Sequence, residues 1–262
     1  MTVVGTLCVA GTLAACDSTT STNPPQNSYA AINIRAVNAP NGQGSARATG
    51  VIFDAYNVSI PVSVQQRTDQ CLYAGVDTST ALPTGAYKAG SAITLSYGTT
   101  SVSMPYDSVN FRYASPAASP FRYAAGDVVQ ATIPGVAGGF PAATISLRLA
   151  EPLIPGAIKL PTGTEPMTFT WNAASDSLSA IIVSLRYANP ITSSYANEQI
   201  YCALNDDGLY QLSGAALTAF FASPADKRSL VMTRWRTNQL ATSATSLLHI
   251  SSSVDTTIRF TP

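Results

Sequence analysis

Short runs in which every second residue is apolar recur along this chain, and they leave it few folds to choose from. Met167, Phe169 and Trp171 alternate with Thr168 and Thr170. Ile181, Val183, Leu185 and Tyr187 alternate with Ile182, Ser184 and Arg186, and Ile200, Cys202 and Leu204 with Gln199, Tyr201 and Ala203. Val231, Thr233 and Trp235 read as the apolar face of a further run, with Met232, Arg234 and Arg236 opposite. Leu248 and Ile250 face away from His249, as Ile258 and Phe260 do from Arg259. Successive side chains of a strand point to opposite faces, so a period of two with one apolar face marks a half-buried strand. Only Ser213 to Ala222 (SGAALTAFFA) reads as a helix, with Ser213 as N-cap and Pro224 as the stop.

The first half follows the same grammar. Ile32, Ile34 and Ala36 alternate with Asn33 and Arg35, turn residues fill Asn38 to Gly44, and Ala48 to Tyr56 returns. Further strands are expected over 59–65, 71–76, 92–97, 101–105, 109–113, 128–133 and 144–149. Gly- and Pro-rich turns separate them, as in a sandwich or barrel. Two prolines in Glu151-Pro-Leu-Ile-Pro-Gly156 interrupt any ladder and mark a domain boundary. The expected fold is therefore all-β, with two antiparallel β-sandwich domains, residues 29–153 and 156–262, and one short helix in the second. With Trp171 on an inner face, the second half resembles an immunoglobulin-like domain, and both sandwiches are read as immunoglobulin-like. The inter-sheet disulfide of antibody domains has no counterpart, because Cys202 is the one cysteine of that half. The resemblance is to the sandwich architecture.

The N-terminus is organised differently. Val3 to Thr12 is apolar but too short to cross a bilayer core, which takes about 20 residues, and it fits the h-region of a signal peptide. Leu13-Ala14-Ala15-Cys16 follows, and then Asp17 to Asn27 (DSTTSTNPPQN), which has no aliphatic residue and two adjacent prolines. This order resembles the end of a bacterial lipoprotein signal peptide, whose lipobox reads Leu-Ala-(Ala/Gly/Ser)-Cys. The resemblance implies a leader over 1–15, cleavage between Ala15 and Cys16, a diacylglycerol thioether with acyl chains such as palmitate on Cys16, and a flexible stalk over 16–28. It also implies a place in the cell envelope, on the periplasmic side of the inner membrane or on the outer membrane. Met1-Thr2 carries no Lys or Arg, a departure from the usual n-region. As a whole the chain resembles two-domain, β-rich lipoproteins of environmental Gram-negative bacteria, in which one Cys precedes an Asp-Asp-Gly turn, here Cys202 to Gly208. That resemblance implies location and shape, not activity.

Charge narrows the partners. Fourteen Lys and Arg balance 14 Asp and Glu, and no basic block occurs, so nucleic acid is not an expected partner. The expected partner is the membrane, through the lipid on Cys16, with a protein or glycan partner left open. Of the four cysteines, Cys8 leaves with the leader and Cys16 takes the lipid, so Cys71 and Cys202 remain as an even pair in an oxidising compartment. They form either a disulfide or two separately packed thiols. Cys202 is in phase with Ile200 and Leu204, which suits the second alternative.

Little catalytic chemistry is on offer. A nucleophilic triad needs a His, and His249, the sole one, lies mid-strand with no Gly-x-Ser-x-Gly elbow in the chain, so it reads as a surface residue. Zinc takes three or four N or S ligands, so no metal site and no cofactor are expected. Three glutamates, Glu151, Glu165 and Glu198, and turn-borne Asp residues supply candidates for a glycosidase pair. Asn205-Asp206-Asp207-Gly208 reads as a hairpin turn ahead of a calcium loop. Tyr97, Tyr106, Tyr113 and Tyr123 offer either a sugar-binding face or ordinary sheet packing, and packing is preferred. The expected function is a non-catalytic binding or structural role. The alternatives are an envelope hydrolase acting on glycans with an Asp/Glu pair, or a carbohydrate-binding module.

Overall fold

The computed structural model describes residues 28–38, 41–54, 69–74, 88–117, 121–161, 165–188, 199–222 and 227–260. The strand expected over 59–65 lies outside these residues.

Three hairpins build most of the first half. β1 (Ser28–Asn38) pairs with β2 (Gln43–Asp54), β4 (Ala92–Tyr97) with β5 (Thr100–Asp107), and β8 (Val128–Ile133) with β9 (Ala143–Arg148). Among the described residues it also has three shorter strands, β3 (Gln70–Ala74), β6 (Arg112–Ala114) and β7 (Phe121–Ala124). The second half contributes β10 (Pro155–Lys159), β11 (Met167–Trp171), β12 (Ser179–Ala188), β13 (Gln199–Asn205) and β14 (Leu209–Leu212). Helical backbone over α1 (Ala215–Ala222) then leads to β15 (Lys227–Ser243) and β16 (Ser246–Phe260).

The described residues are all-β in character, with a large mixed sheet and a small one. The large sheet runs β3-β13-β12-β15-β16-β1-β2-β6-β5-β4-β8-β9, and β7 also pairs with β2. The small sheet runs β10-β11-β14. Two expectations change here. The large sheet is not wholly antiparallel, because β1 lies parallel to β16, from Ser28 opposite Ser246 to Arg35 opposite Ser253. Nor do the ladders stop at the Pro-rich segment, since β16 joins β1 and β3 joins β13 across the halves. Sequential hairpins were visible locally, but these pairings join strands far apart in the chain, which no local pattern encodes.

The apolar side chains sort into two clusters along the long β15–β16 hairpin. The first gathers Ile32, Ile93, Leu95, Tyr113, Phe121 and Phe140 with Leu248 and Ile250 of β16. The sheet curls so that β9 lies over β15 and β16, where Asn238 Nδ2 donates to the Ser146 carbonyl at 2.7 Å. The second cluster is a sandwich. Met167, Phe169 and Trp171 of the small sheet face Ile181, Val183 and Leu185 of β12, Ile200 and Leu204 of β13, and Leu230 and Met232 of β15. Val254 packs against both clusters, so the hairpin is their common wall.

Two local readings are also corrected. Of the strand expected over 109–113, Arg112 and Tyr113 are strand, but 109–111 form a turn. Asp107 Oδ1 accepts from the backbone N–H of Val109 and Asn110 at 2.9 and 3.1 Å, and β6 begins only at Arg112. An Asp side chain that captures the N–H groups ahead of it favours a turn over a ladder. On β15 the phase is reversed. Leu230, Met232, Arg234 and Arg236 are buried, while Val231, Thr233 and Trp235 are half-buried. Two arginines on one face read as solvent-facing, yet here that face is the interior one because their charges are answered there.

Candidate polar junction and cleft

Arg234 is fully buried, and its surroundings explain how. Its Nε and Nη2 donate to the two oxygens of Asp206 at 2.7 and 2.9 Å, a two-pronged ion pair with side chains 0% and 2% exposed. Nη1 donates to the Pro152 carbonyl and Nη2 also to the Asn172 carbonyl. Asp206 accepts further bonds from Trp171 Nε1 at 2.8 Å and Ala174 N at 3.3 Å. A buried charge is tolerated only when paired and fully hydrogen-bonded, and both members meet that condition. The rigid fork of Arg suits a carboxylate and two carbonyls at once. Asn172 extends the junction, accepting from Ile154 N at 2.7 Å and donating to the Pro152 carbonyl at 3.0 Å. The segment between the halves is thereby stitched to the second half.

Above this junction opens a polar cleft of about 760 Å³. Asn41, Gln43 and Arg148 come from the first half, and Ser175, Asp176 and Arg236 from the second, with Glu151 between them. Gly42, at φ +75°, forms part of the wall, and a Cβ there would lie 2.7 Å from Pro152 Cγ. Glu151 accepts from Ser175 Oγ at 2.5 Å and Ser175 N at 3.0 Å. Burial alone would raise its pKa. The Ser175 bonds and the charges of Arg234 and Arg236 outweigh that, so its carboxyl stays below the usual 4.5. Asp176 is ion-paired with Arg236 and caps its own turn through Leu178 N at 2.9 Å. Glycoside hydrolysis needs one carboxyl with a raised pKa, whereas Glu151 is held below its usual value and Asp176 is tied to Arg236.

The remaining expected residues fall as follows. Ala15 and Cys16 lie outside the described residues, as does Glu198. Cys71 and Cys202 are direct cross-strand partners on β3 and β13, joined as a disulfide with Cα atoms 3.9 Å apart. Glu165 pairs with Lys159 at 2.8 Å, in a different hollow from Glu151. His249 is half-buried rather than a surface residue, stacked on Tyr29 with centroids 6.2 Å apart, and burial holds its pKa below 6.5. Asn205 to Gly208 is not a hairpin turn, since β13 and β14 belong to different sheets. Asp207 Oδ1 accepts from Leu209 N at 3.3 Å. The four tyrosines form no exposed row. Tyr113 and Tyr123 are fully buried, and Tyr97 and Tyr106 pack half-buried against the first cluster. Burial pushes the Tyr123 phenol up to about 12, and its hydroxyl donates to the Ala150 carbonyl at 2.5 Å. Among the described residues no group of three or more His, Cys, Asp or Glu is placed to hold a metal ion.

Alternation along β15 does not announce the Arg234–Asp206 pair; its one signal is the phase of Leu230 and Met232, which runs on into Arg234 and Arg236. Compared with known proteins, the chain matches no family model and no curated protein, so nothing in those comparisons ties it to a catalytic family.

Proposed function

We propose that the chain is a lipid-anchored protein of the cell envelope with a non-catalytic role in binding or structure. In this reading Cys16 carries the lipid after cleavage at Ala15, and two or more acyl chains make the anchoring stable. Each apolar cluster is taken as one immunoglobulin-like sandwich, the first built mainly from 29–153 and the second mainly from 156–262, with the β15–β16 hairpin contributing to both. One observation carries the role. The cleft residues Asn41 to Gln43 lie at the end of β1 and β2 opposite Ser28, where the chain arrives from Cys16. β1 spans eleven residues, or about 35 Å at the rise of a strand. A body tethered at one end thus offers a polar cleft, with charges of both signs, at the other. A ligand there meets fixed hydroxyls, carboxylates and guanidinium groups, which suits a polar or zwitterionic group held without reaction.

Fractionation and intact-mass analysis of the protein made in a Gram-negative host, beside Cys16→Ser, test the anchor. Wild type should enter detergent with the mass of a chain cut before Cys16 plus acyl groups, and the variant should not. Soluble protein retaining residues 1–15 in both would end this reading.

A further inference from the structure

The β5–β6 turn displays two apolar side chains, Val109 and Phe111, which are 82% and 56% exposed. The display is built in. Asp107 holds Val109 N, Asn110 N and Asn110 Nδ2, the last at 2.6 Å, and Phe111 sits at φ +50°, a conformation bulky residues rarely adopt. A turn that needed only to reverse the chain would be easier to make with Gly at that place and polar residues around it.

Register fixes where this turn lies. β2 pairs with β6 antiparallel, Gly50 opposite Tyr113, so the turn before Arg112 lies toward the Asp54 end of β2. Asp54 is opposite Ser28 on β1. The turn and the start of β1 therefore share one end of the sheet, away from the cleft. Twelve residue steps separate Ser28 from Cys16, which at full extension reach at most about 40 Å. Arg112, exposed beside the turn, lies opposite Asp107 across the β5–β6 ladder, so the two charges offset each other and the turn presents no net negative charge to a lipid surface.

We propose that Val109 and Phe111 enter the bilayer interface beside the lipid on Cys16, so that the body stands end-on with its cleft outward. This rests on the lipid-anchor reading above. An apolar pair next to a covalent lipid supplies the second contact that turns a swinging tether into a fixed orientation.

The test uses full-length lipidated protein in phosphatidylethanolamine–phosphatidylglycerol vesicles whose acyl chains are brominated. Phe111→Trp places a reporter at the turn. Val37→Trp places one on an exposed residue nine positions along β1 from Ser28, about 30 Å away. Loss of fluorescence to bromine, relative to wild type with Trp171 and Trp235, should at least double for Phe111→Trp and stay unchanged for Val37→Trp. Quenching of Phe111→Trp no greater than wild type, in protein whose mass carries the acyl groups, overturns the insertion and leaves the anchor standing. Protein without acyl mass overturns both. A dimer in detergent that Phe111→Asp dissolves, without bromine quenching, assigns the turn to a second copy of the chain instead.

Discussion

Arg234 and Asp206 meet through two hydrogen bonds of 2.7 and 2.9 Å in a place closed to solvent, and each is bonded to backbone from a different segment. Removing one partner strands the other's charge. Arg234→Met or Asp206→Leu should each lower stability by about 3–5 kcal/mol. The double variant Arg234→Met with Asp206→Leu should lose less than the sum of the two, because no charge is left behind. Urea midpoints of the four proteins give the cycle. Additive losses would mean that the pair is not coupled.

The Cys71–Cys202 bond closes a loop of 131 residues and fastens edge strand β3 to β13. In the chain-entropy account, opening a loop of this length costs about 2–5 kcal/mol. Cys71→Ser with Cys202→Ser should show that loss in a denaturant titration. A reductant should bring wild type to the variant's midpoint and leave the variant unmoved. Amide exchange should quicken first in β3. A wild-type midpoint indifferent to reductant would contradict the bond's role.

His249 gives stability a pH dependence of known sign. Its folded pKa lies below 6.5 because burial disfavours the imidazolium. The unfolded chain takes up its proton near 6.5. Stability from this group is present above that pH and falls as pH drops toward the folded value, because the unfolded state binds the proton first. His249→Gln should lack that slope. As the sole His, its Cε1 proton is directly assignable by NMR. A titration midpoint at or above 6.5 in folded protein would reverse the prediction.

The Tyr113 hydroxyl accepts from Ala89 N at 2.7 Å and donates to the Gly90 carbonyl at 2.9 Å, inside the first cluster. Tyr113→Phe keeps the ring and leaves both backbone groups without that partner. The cost should be about 1–3 kcal/mol, with faster exchange at the Ala89 amide. A melting temperature equal to wild type would show that these groups find other partners.

Much of this fold can be read residue by residue. Ile181, Val183 and Leu185 are buried as their alternation requires, as are Met167, Phe169 and Trp171. The pattern fails where a polar side chain changes what a position costs. Arg234 is interior because Asp206, far off in sequence, neutralises it, and a strand's phase cannot report such a partner. Phe111 looks like a strand residue, yet Asp107 takes the N–H groups a ladder would need. The cleft is legible only in its parts. Glu151 and Asp176 are visible as acids, but their nearness to Arg236 depends on β15 lying beside β12.

The parallel pairing of β1 with β16 has a consequence in time. These strands lie 218 residues apart along the chain, and they sit side by side in the middle of the sheet. Until β16 is available, β1 is paired on one side only, and neither apolar cluster has its common wall. Folding that waits on such distant contacts is slow and leaves strand edges open to wrong partners. A chain delivered N-terminus first must therefore hold β1 unfinished until β16 has emerged.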